Sequence, residues 1–375
     1  MSGEKESTPE ARDGLTGDPE RDPAAKLLLE APIPNGQSLL LIEGGCGRLA
    51  AHFSPGFNQT LNQNMFFRNH TVSQDWLAET KSKTVTCILG DVPRTGSSTE
   101  YLAESFDEIV FRLGRGTALV NAALIESFRL LRRGGSLWVS GHTQEGIKSF
   151  AKRAETHFGN VHLIRIKSSC RLLRFQKHTD ESPSPIDDPL YFEYFDLKLE
   201  LEKGKSITYG TKPGIFSYRS TDIGTALLAK HIPDCTGLKV LDLGCGSGVV
   251  SLVAFERGAK SVLALDVNAV AVTVTSRNFY LKSLSGIGRC TNLTEGVEEE
   301  FDLVLSNPPF HHGSETDFSF PGKILDAIAP TLQAGGSVYL VANRFLDYLT
   351  PAKGFFQSSE ILAREQGYCV YHFVK

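Results

Sequence analysis

The chain has 375 residues, 41% hydrophobic and 22% charged, with 35 glycines and a formal net charge of -4, which excludes a fibre or a wholly disordered chain and leaves room for two or three domains. No apolar run approaches the roughly 20 residues that span a bilayer, and the first thirty residues carry no apolar signal core, so no membrane is expected and the protein reads as cytoplasmic. The cysteines (Cys46, Cys87, Cys170, Cys235, Cys245, Cys290 and Cys369) form no C-x-x-C pair, which argues against a zinc knuckle or a disulfide framework.

Residues 1–36 are rich in Glu, Asp, Pro, Gly and Ser and are expected to be a disordered tail. Two stretches of alternating strand-like and helix-like pattern follow, over 37–178 and 205–375. Between them, 179–204 reads as a linker around Ser182-Pro183-Ser184-Pro185-Ile186-Asp187-Asp188-Pro189. The first stretch is basic: within 111–178 there are thirteen Lys/Arg against Glu126, Glu145 and Glu155. Such asymmetry points to a polyanion held by one domain, with a solvated basic face as the plain alternative.

The two stretches read as copies. Gly45-Cys46-Gly47 matches Gly244-Cys245-Gly246, Phe106-Asp107-Glu108-Ile109-Val110 matches Phe301-Asp302-Leu303-Val304-Leu305, and Gly134-Gly135-Ser136-Leu137 matches Gly335-Gly336-Ser337-Val338. Three anchors in one order, each offset by about 200 residues, indicate a duplicated α/β domain. In the second copy the pattern predicts strands at 238–243, 261–265, 302–306 and 336–342, helices through 257, over 268–281 and over 322–333, and late strands near 355–362 and 368–374. That order is an α/β fold with a mostly parallel sheet, helices on both faces and a ligand at the carboxyl ends of the strands.

Val240-Leu241-Asp242-Leu243-Gly244-Cys245-Gly246-Ser247-Gly248 is a buried strand running into three alternate glycines. Glycines let backbone approach a ligand closely, and Val249, where a dinucleotide fingerprint wants a small residue, disfavours NAD or FAD. The next strand ends at Asp266, placed to accept two ribose hydroxyls; capping the following helix is its alternative role, and the two are compatible.

Asn307-Pro308-Pro309-Phe310-His311 follows the strand ending at Ser306. Two prolines stiffen the turn, so the Asn307 side chain and the Pro308 carbonyl are expected as paired acceptors for an exocyclic NH2, with Phe310 stacking on the base. An aromatic amine is a poor nucleophile because its lone pair is delocalised; acceptors on its hydrogens favour the pyramidal nitrogen of the transition state. The alternative is a buried proline turn in which Asn307 satisfies backbone groups.

These residues, with Lys212-Pro213-Gly214-Ile215-Phe216-Ser217, Asp222-Ile223-Gly224 and Ala342-Asn343, resemble the class I S-adenosylmethionine-dependent methyltransferases, specifically the bacterial rRNA guanine-N2 methyltransferases of the small- and large-subunit types. The resemblance covers 205–375 well and 37–178 more faintly. It implies two tandem Rossmann-like domains, S-adenosyl-L-methionine as cofactor, and rRNA or a ribosomal subunit as partner. It further implies that Gly244, Gly246 and Gly248 cradle the methionine end with Asp242 among the cofactor-binding residues, that Asp266 holds the ribose, that Asn292 lies near the adenine, and that Phe216 and Asp222 line the cofactor. His311 matches the family's motif, with its role open between structural and proton-accepting.

In that family the first copy has lost its cofactor site and helps bind RNA, and this one is similarly altered. Arg48-Leu49 replace Ser247-Gly248, Phe67 stands for Asp266, and Arg112-Leu113-Gly114-Arg115 replace the Asn307 to Phe310 corner. The first copy is therefore expected not to methylate anything. Methylation of a glutamine side chain or an adenine, and a non-catalytic ribosome-assembly factor, remain open as alternatives.

Overall fold

The computed structural model describes residues 22–34, 38–42, 52, 104–114, 117–185, 192–308 and 319–375, and the backbone of 63–67 and 85–89. The chain divides into two compact units, Met1–Tyr191 and Phe192–Lys375.

The first unit contains helix α1 (Pro23–Leu29), strands β1 (Leu39–Ile42), β2 (Gln63–Phe67), β3 (Val85–Leu89) and β4 (Phe106–Arg112), α2 (Thr117–Leu130), β5 (Leu131–His142), α3 (Ile147–Phe158), β6 (His162–Lys167) and β7 (Cys170–Gln176). The second contains β8 (Phe195–Glu200), β9 (Ser206–Thr211), α4 (Ile223–His231), β10 (Lys239–Leu243), α5 (Val249–Glu256), β11 (Ser261–Asp266), α6 (Ala269–Leu281), β12 (Gly286–Cys290), β13 (Phe301–Ser306), α7 (Phe320–Ile328), β14 (Leu332–Asn343), α8 (Leu349–Ala352), β15 (Ser358–Glu365) and β16 (Tyr368–Val374).

The duplication holds strand by strand. The sheets run β3-β2-β1-β4-β5-β7-β6 and β12-β11-β10-β13-β14-β16-β15. Each is parallel except for the antiparallel pairs made by its last two chain segments. Matching details recur. Asp107 Oδ2 accepts the Ser38 N–H at 3.0 Å and Asp302 Oδ2 accepts the Lys239 N–H at 2.7 Å. The Gly134 N–H donates to the Lys177 carbonyl, and the Gly335 N–H to the Lys375 carbonyl.

Apolar residues alternate along the central strands of the second sheet, and each set buries under its own helices. Val240, Leu303 and Leu305 pack with Leu227, Leu228, Val250 and Val253, whereas Leu241, Val304, Val338 and Leu340 pack with Ile324, Leu325 and Ile328. The turns after β10, β11 and β13 meet at the carboxyl edge of this sheet.

Two boundary expectations are corrected. Residues 22–34, inside the expected tail, are ordered: Ala24, Leu27 and Leu28 of α1 are buried against Leu39, Leu41, Val110, Trp138 and Leu172. The apolar stripe of Ala24, Leu27 and Leu28 lies next to an acidic, Pro-rich stretch whose composition hides it. Asp22 caps α1 by accepting the Ala24 N–H at 2.9 Å, as Asp222 caps α4 by accepting the Thr225 N–H at 2.9 Å. Asp22 with Leu27-Leu28 and Asp222 with Leu227-Leu228 are a fourth repeat anchor. Within the expected linker 179–204, β8 pairs antiparallel with β9, as the alternation Phe195, Leu197, Leu199 against Asp196, Lys198, Glu200 allows.

Among the described residues no helix is long and apolar enough to cross a membrane, and no cluster of His, Cys, Asp or Glu is placed to hold a metal ion.

Candidate active site

Strand β10 ends at Leu243, and the backbone turns through Gly244, Gly246 and Gly248, all at positive φ, before α5 begins. At Gly248 the requirement is strict: φ is +76° and a Cβ would come within 2.8 Å of the Thr275 side chain. The loop is fixed from several sides. Gly244 and Cys245 N–H groups donate to the Leu265 carbonyl. Gly246 N–H donates to Asp266 Oδ2 at 2.9 Å, Thr275 Oγ1 donates to the Gly246 carbonyl at 3.1 Å, and Asn278 Nδ2 donates to the Ser247 carbonyl at 2.8 Å.

Asp242 lies beneath this loop, not in it. Its Oδ2 accepts the Ser251 N–H and hydroxyl at 3.0 and 2.6 Å, strapping β10 to α5. Burial pushes its carboxyl up to about 7 against those hydrogen bonds. Asp266 closes β11 with its carboxylate at the loop, accepting the Gly246 N–H and, at 2.8 Å, the Asn268 N–H. Burial raises its pKa too, opposed by these N–H donors. Asn268 is itself the cap of α6, accepting the Val270 N–H at 3.0 Å, so Asp266 supports the helix start while its remaining lone pairs stay available to hydroxyl donors. Cys290, which pairs with Asp266, brings Asn292 to the same edge two residues later. Phe216 stands 67% exposed between Ile215, which packs on Val270 and Val274, and Ser217.

Asn307 follows β13 at the neighbouring strand end. Its carbonyl oxygen lies 3.7 Å from where a Gly244 Cβ would stand, so the corner and the glycine loop share one edge. Its side-chain nitrogen donates to Asp222 Oδ2 at 3.1 Å and to Thr225 Oγ1 at 2.8 Å. The carboxamide is therefore neither in the apolar interior nor satisfying backbone groups. Asp222, expected to line the cofactor, meets the Asn307 corner. Thr225 went unnoticed in the sequence; its only signal is its place three residues after a helix-capping Asp. Pro308 is buried, while Pro309, Phe310 and His311 lie outside the described residues.

The strand registers identify the counterpart positions in the first unit. Ile42 faces Phe111 and Phe66, as Leu243 faces Ser306 and Leu265. The residues that follow are Arg112 for Asn307 and Phe67 for Asp266, as the sequence match requires. Arg112 is buried, and its guanidinium donates to Asp22 at 2.6 and 3.1 Å and to Glu145 at 2.8 and 2.9 Å. It is an ion-paired cation where the second unit has a neutral carboxamide. Gly45 to Leu49 and Arg115 lie outside the described residues.

The second unit thus offers a preorganised glycine turn, an acidic strand end and a side-chain carboxamide on one edge. These are groups that fit an adenosyl cofactor with a carboxylate-bearing tail beside an amine substrate. The Methyltransferase small domain family matches residues 206–372. Ribosomal RNA small subunit methyltransferase C of Pseudomonas entomophila is 32% identical over 71% of this chain and 79% of its own. The Colwellia psychrerythraea protein of the same name is 28% identical over 79% and 83%. Among solved structures, the T. thermophilus 16S rRNA N2 G1207 methyltransferase (RsmC), in complex with AdoMet and guanosine, covers 97% of this chain with 94% of its own, at 25% identity and a TM-score of 0.81. The chain belongs to the ribosomal RNA small subunit methyltransferase C family.

Proposed function

We propose that the chain transfers the methyl group of S-adenosylmethionine to the N2 amine of a guanine in 16S rRNA. The observation that carries this reading is the amide at the end of β13. Both hydrogens of Asn307 Nδ2 point at Asp222 and Thr225, which turns Oδ1 into the acceptor for a planar NH2.

The bound cofactor supplies an electrophilic methyl on sulfur. Gly244, Gly246 and Gly248 hold its amino-acid end, Asp266 its ribose and Asn292 its adenine side. Asp242 keeps the turn in shape from below, and Phe216 covers the site from the loop before α4. Asn307 Oδ1 and the Pro308 carbonyl take the two N2 hydrogens and draw the nitrogen toward a pyramidal geometry, and Phe310 stacks on the guanine. The nucleophile thereby gains a localised lone pair at a fixed approach. The proton released from the methylated amine passes to water, which leaves His311 no required role.

The target base leaves its stack at a cost of about a few kcal/mol. Phosphate contacts from the basic segment 111–178 of the first unit offset that cost. The partner is rRNA or the small ribosomal subunit in the cytoplasm, with no membrane involved.

The deciding experiment is Asn307→Ala with rRNA and radiolabelled cofactor. Turnover is expected to fall by about a hundredfold or more, with cofactor affinity by calorimetry unchanged. Wild-type turnover in the variant would sink the assignment, and label that survives ribonuclease would move the substrate from RNA to protein.

A further inference from the structure

A carboxamide is nearly symmetric in shape but opposite in polarity at its two ends. At the end of β13 the wrong orientation would present N–H groups to an amine that also carries N–H groups, and the acceptor would be lost. The geometry points to Asp222 and Thr225 as the positioning residues that prevent this flip. The inference rests on the proposed acceptor role of Asn307.

The argument is one of donors and acceptors. An ionised carboxylate can only accept, so Asp222 Oδ2 at 3.1 Å selects the nitrogen end of the Asn307 amide. The Thr225 hydroxyl can do either, but its single proton goes to Asp222 Oδ2 at 3.3 Å. Its lone pairs therefore face Asn307 Nδ2 at 2.8 Å. Both amide hydrogens are engaged, and the orientation of Oδ1 follows. Asp222 is fixed in turn as the cap of α4, where the same Oδ2 takes the Thr225 N–H at 2.9 Å. A side chain at a helix start thus reaches across the sheet edge to aim a side chain at a strand end.

The first unit is an internal control. Asp22 holds the equivalent cap of α1, and its carboxylate accepts from the guanidinium of Arg112, the residue standing in for Asn307. That copy carries Phe67 in place of the ribose-binding Asp266. The capping carboxylate therefore keeps its hold on the strand-end residue where the cofactor feature is gone. Its role follows the corner, not the cofactor.

The test uses the full chain with four substitutions. Asp222→Ser keeps a competent helix cap but is too short to reach Asn307, and Asp222→Asn keeps an oxygen at the Oδ2 position. Thr225→Val removes the hydroxyl at constant shape, and Thr225→Ser keeps it. Asp222→Ser and Thr225→Val are expected to lower kcat by about tenfold to a hundredfold, with cofactor affinity and melting temperature close to wild type. Asp222→Asn and Thr225→Ser are expected to return kcat to within about threefold of wild type.

The proposal is overturned if Asp222→Ser turns over at the wild-type rate, or if it weakens cofactor binding as much as it lowers kcat. It is also overturned if Asp222→Asn is no better than Asp222→Ser. Should Asp222→Ser melt early, the Thr225 pair decides alone, and full turnover by Thr225→Val overturns it. An inactive Asn307→Ala beside a fully active Asp222→Ser would sink this inference only; an active Asn307→Ala would sink the functional assignment as well.

Discussion

Glu108 is buried on β4, and its Oε2 accepts the indole N–H of Trp138 in the neighbouring strand β5 at 2.6 Å. Burial pushes its carboxyl up from the usual 4.5 to about 7, with Trp138 and Arg174 opposing. The folded chain therefore holds a proton that the unfolded chain releases between those values. Stability falls as pH rises through that window, and the loss is complete above about 7. Glu108→Gln keeps an oxygen for Trp138 and has no proton to lose. Relative to the variant, the wild type is expected to lose about 3 kcal/mol between pH 4.5 and 7.5. Urea unfolding at both pH values checks this, and parallel pH profiles would refute it.

At the scale of elements, α1 belongs to the first copy as α4 belongs to the second. Leu28 is fully buried in the cluster that α1 makes with β1, β4, β5 and β7. Leu28→Ala should cost about 2 to 5 kcal/mol in chemical unfolding; a change of a few tenths would mean that the helix is only loosely attached. This helix also marks where sequence reading ran short. The glycine turn, Asp266 and the diproline corner were legible because each pairs a buried strand with a local break whose residue types have few other uses. Strand β12 was not, because Gly286 and Gly288 interrupt its pattern. A Cβ at either would come within 2.5 Å or less of Phe279 or Ser276 of α6, so close packing against that helix removes the side chains that would have signalled a strand. The partnership of Asp222 with Asn307 was hidden for another reason: it joins residues far apart in the chain, and only the folded edge brings them together.

On the whole-molecule scale, two copies of one fold share their helix-capping Asp and differ at two strand ends. Asp266 and Asn307 in the second unit correspond to Phe67 and a buried, doubly paired Arg112 in the first. Calorimetric titration with S-adenosylmethionine should give one site per chain, and two equivalent sites would refute the expectation that the first copy binds no cofactor. The pairing of Arg112 also bears on how nucleic acid binds. A cation releases counterions from a phosphate backbone only if it can reach one. Arg112 and Lys177 are buried and ion-paired, and Arg165 and Lys167 both lean on Glu30. For the proposed RNA contact of the basic segment, the slope of log affinity against log salt is therefore expected to be shallower than thirteen basic residues imply, and removing Glu30 is expected to steepen it by freeing Arg165 and Lys167.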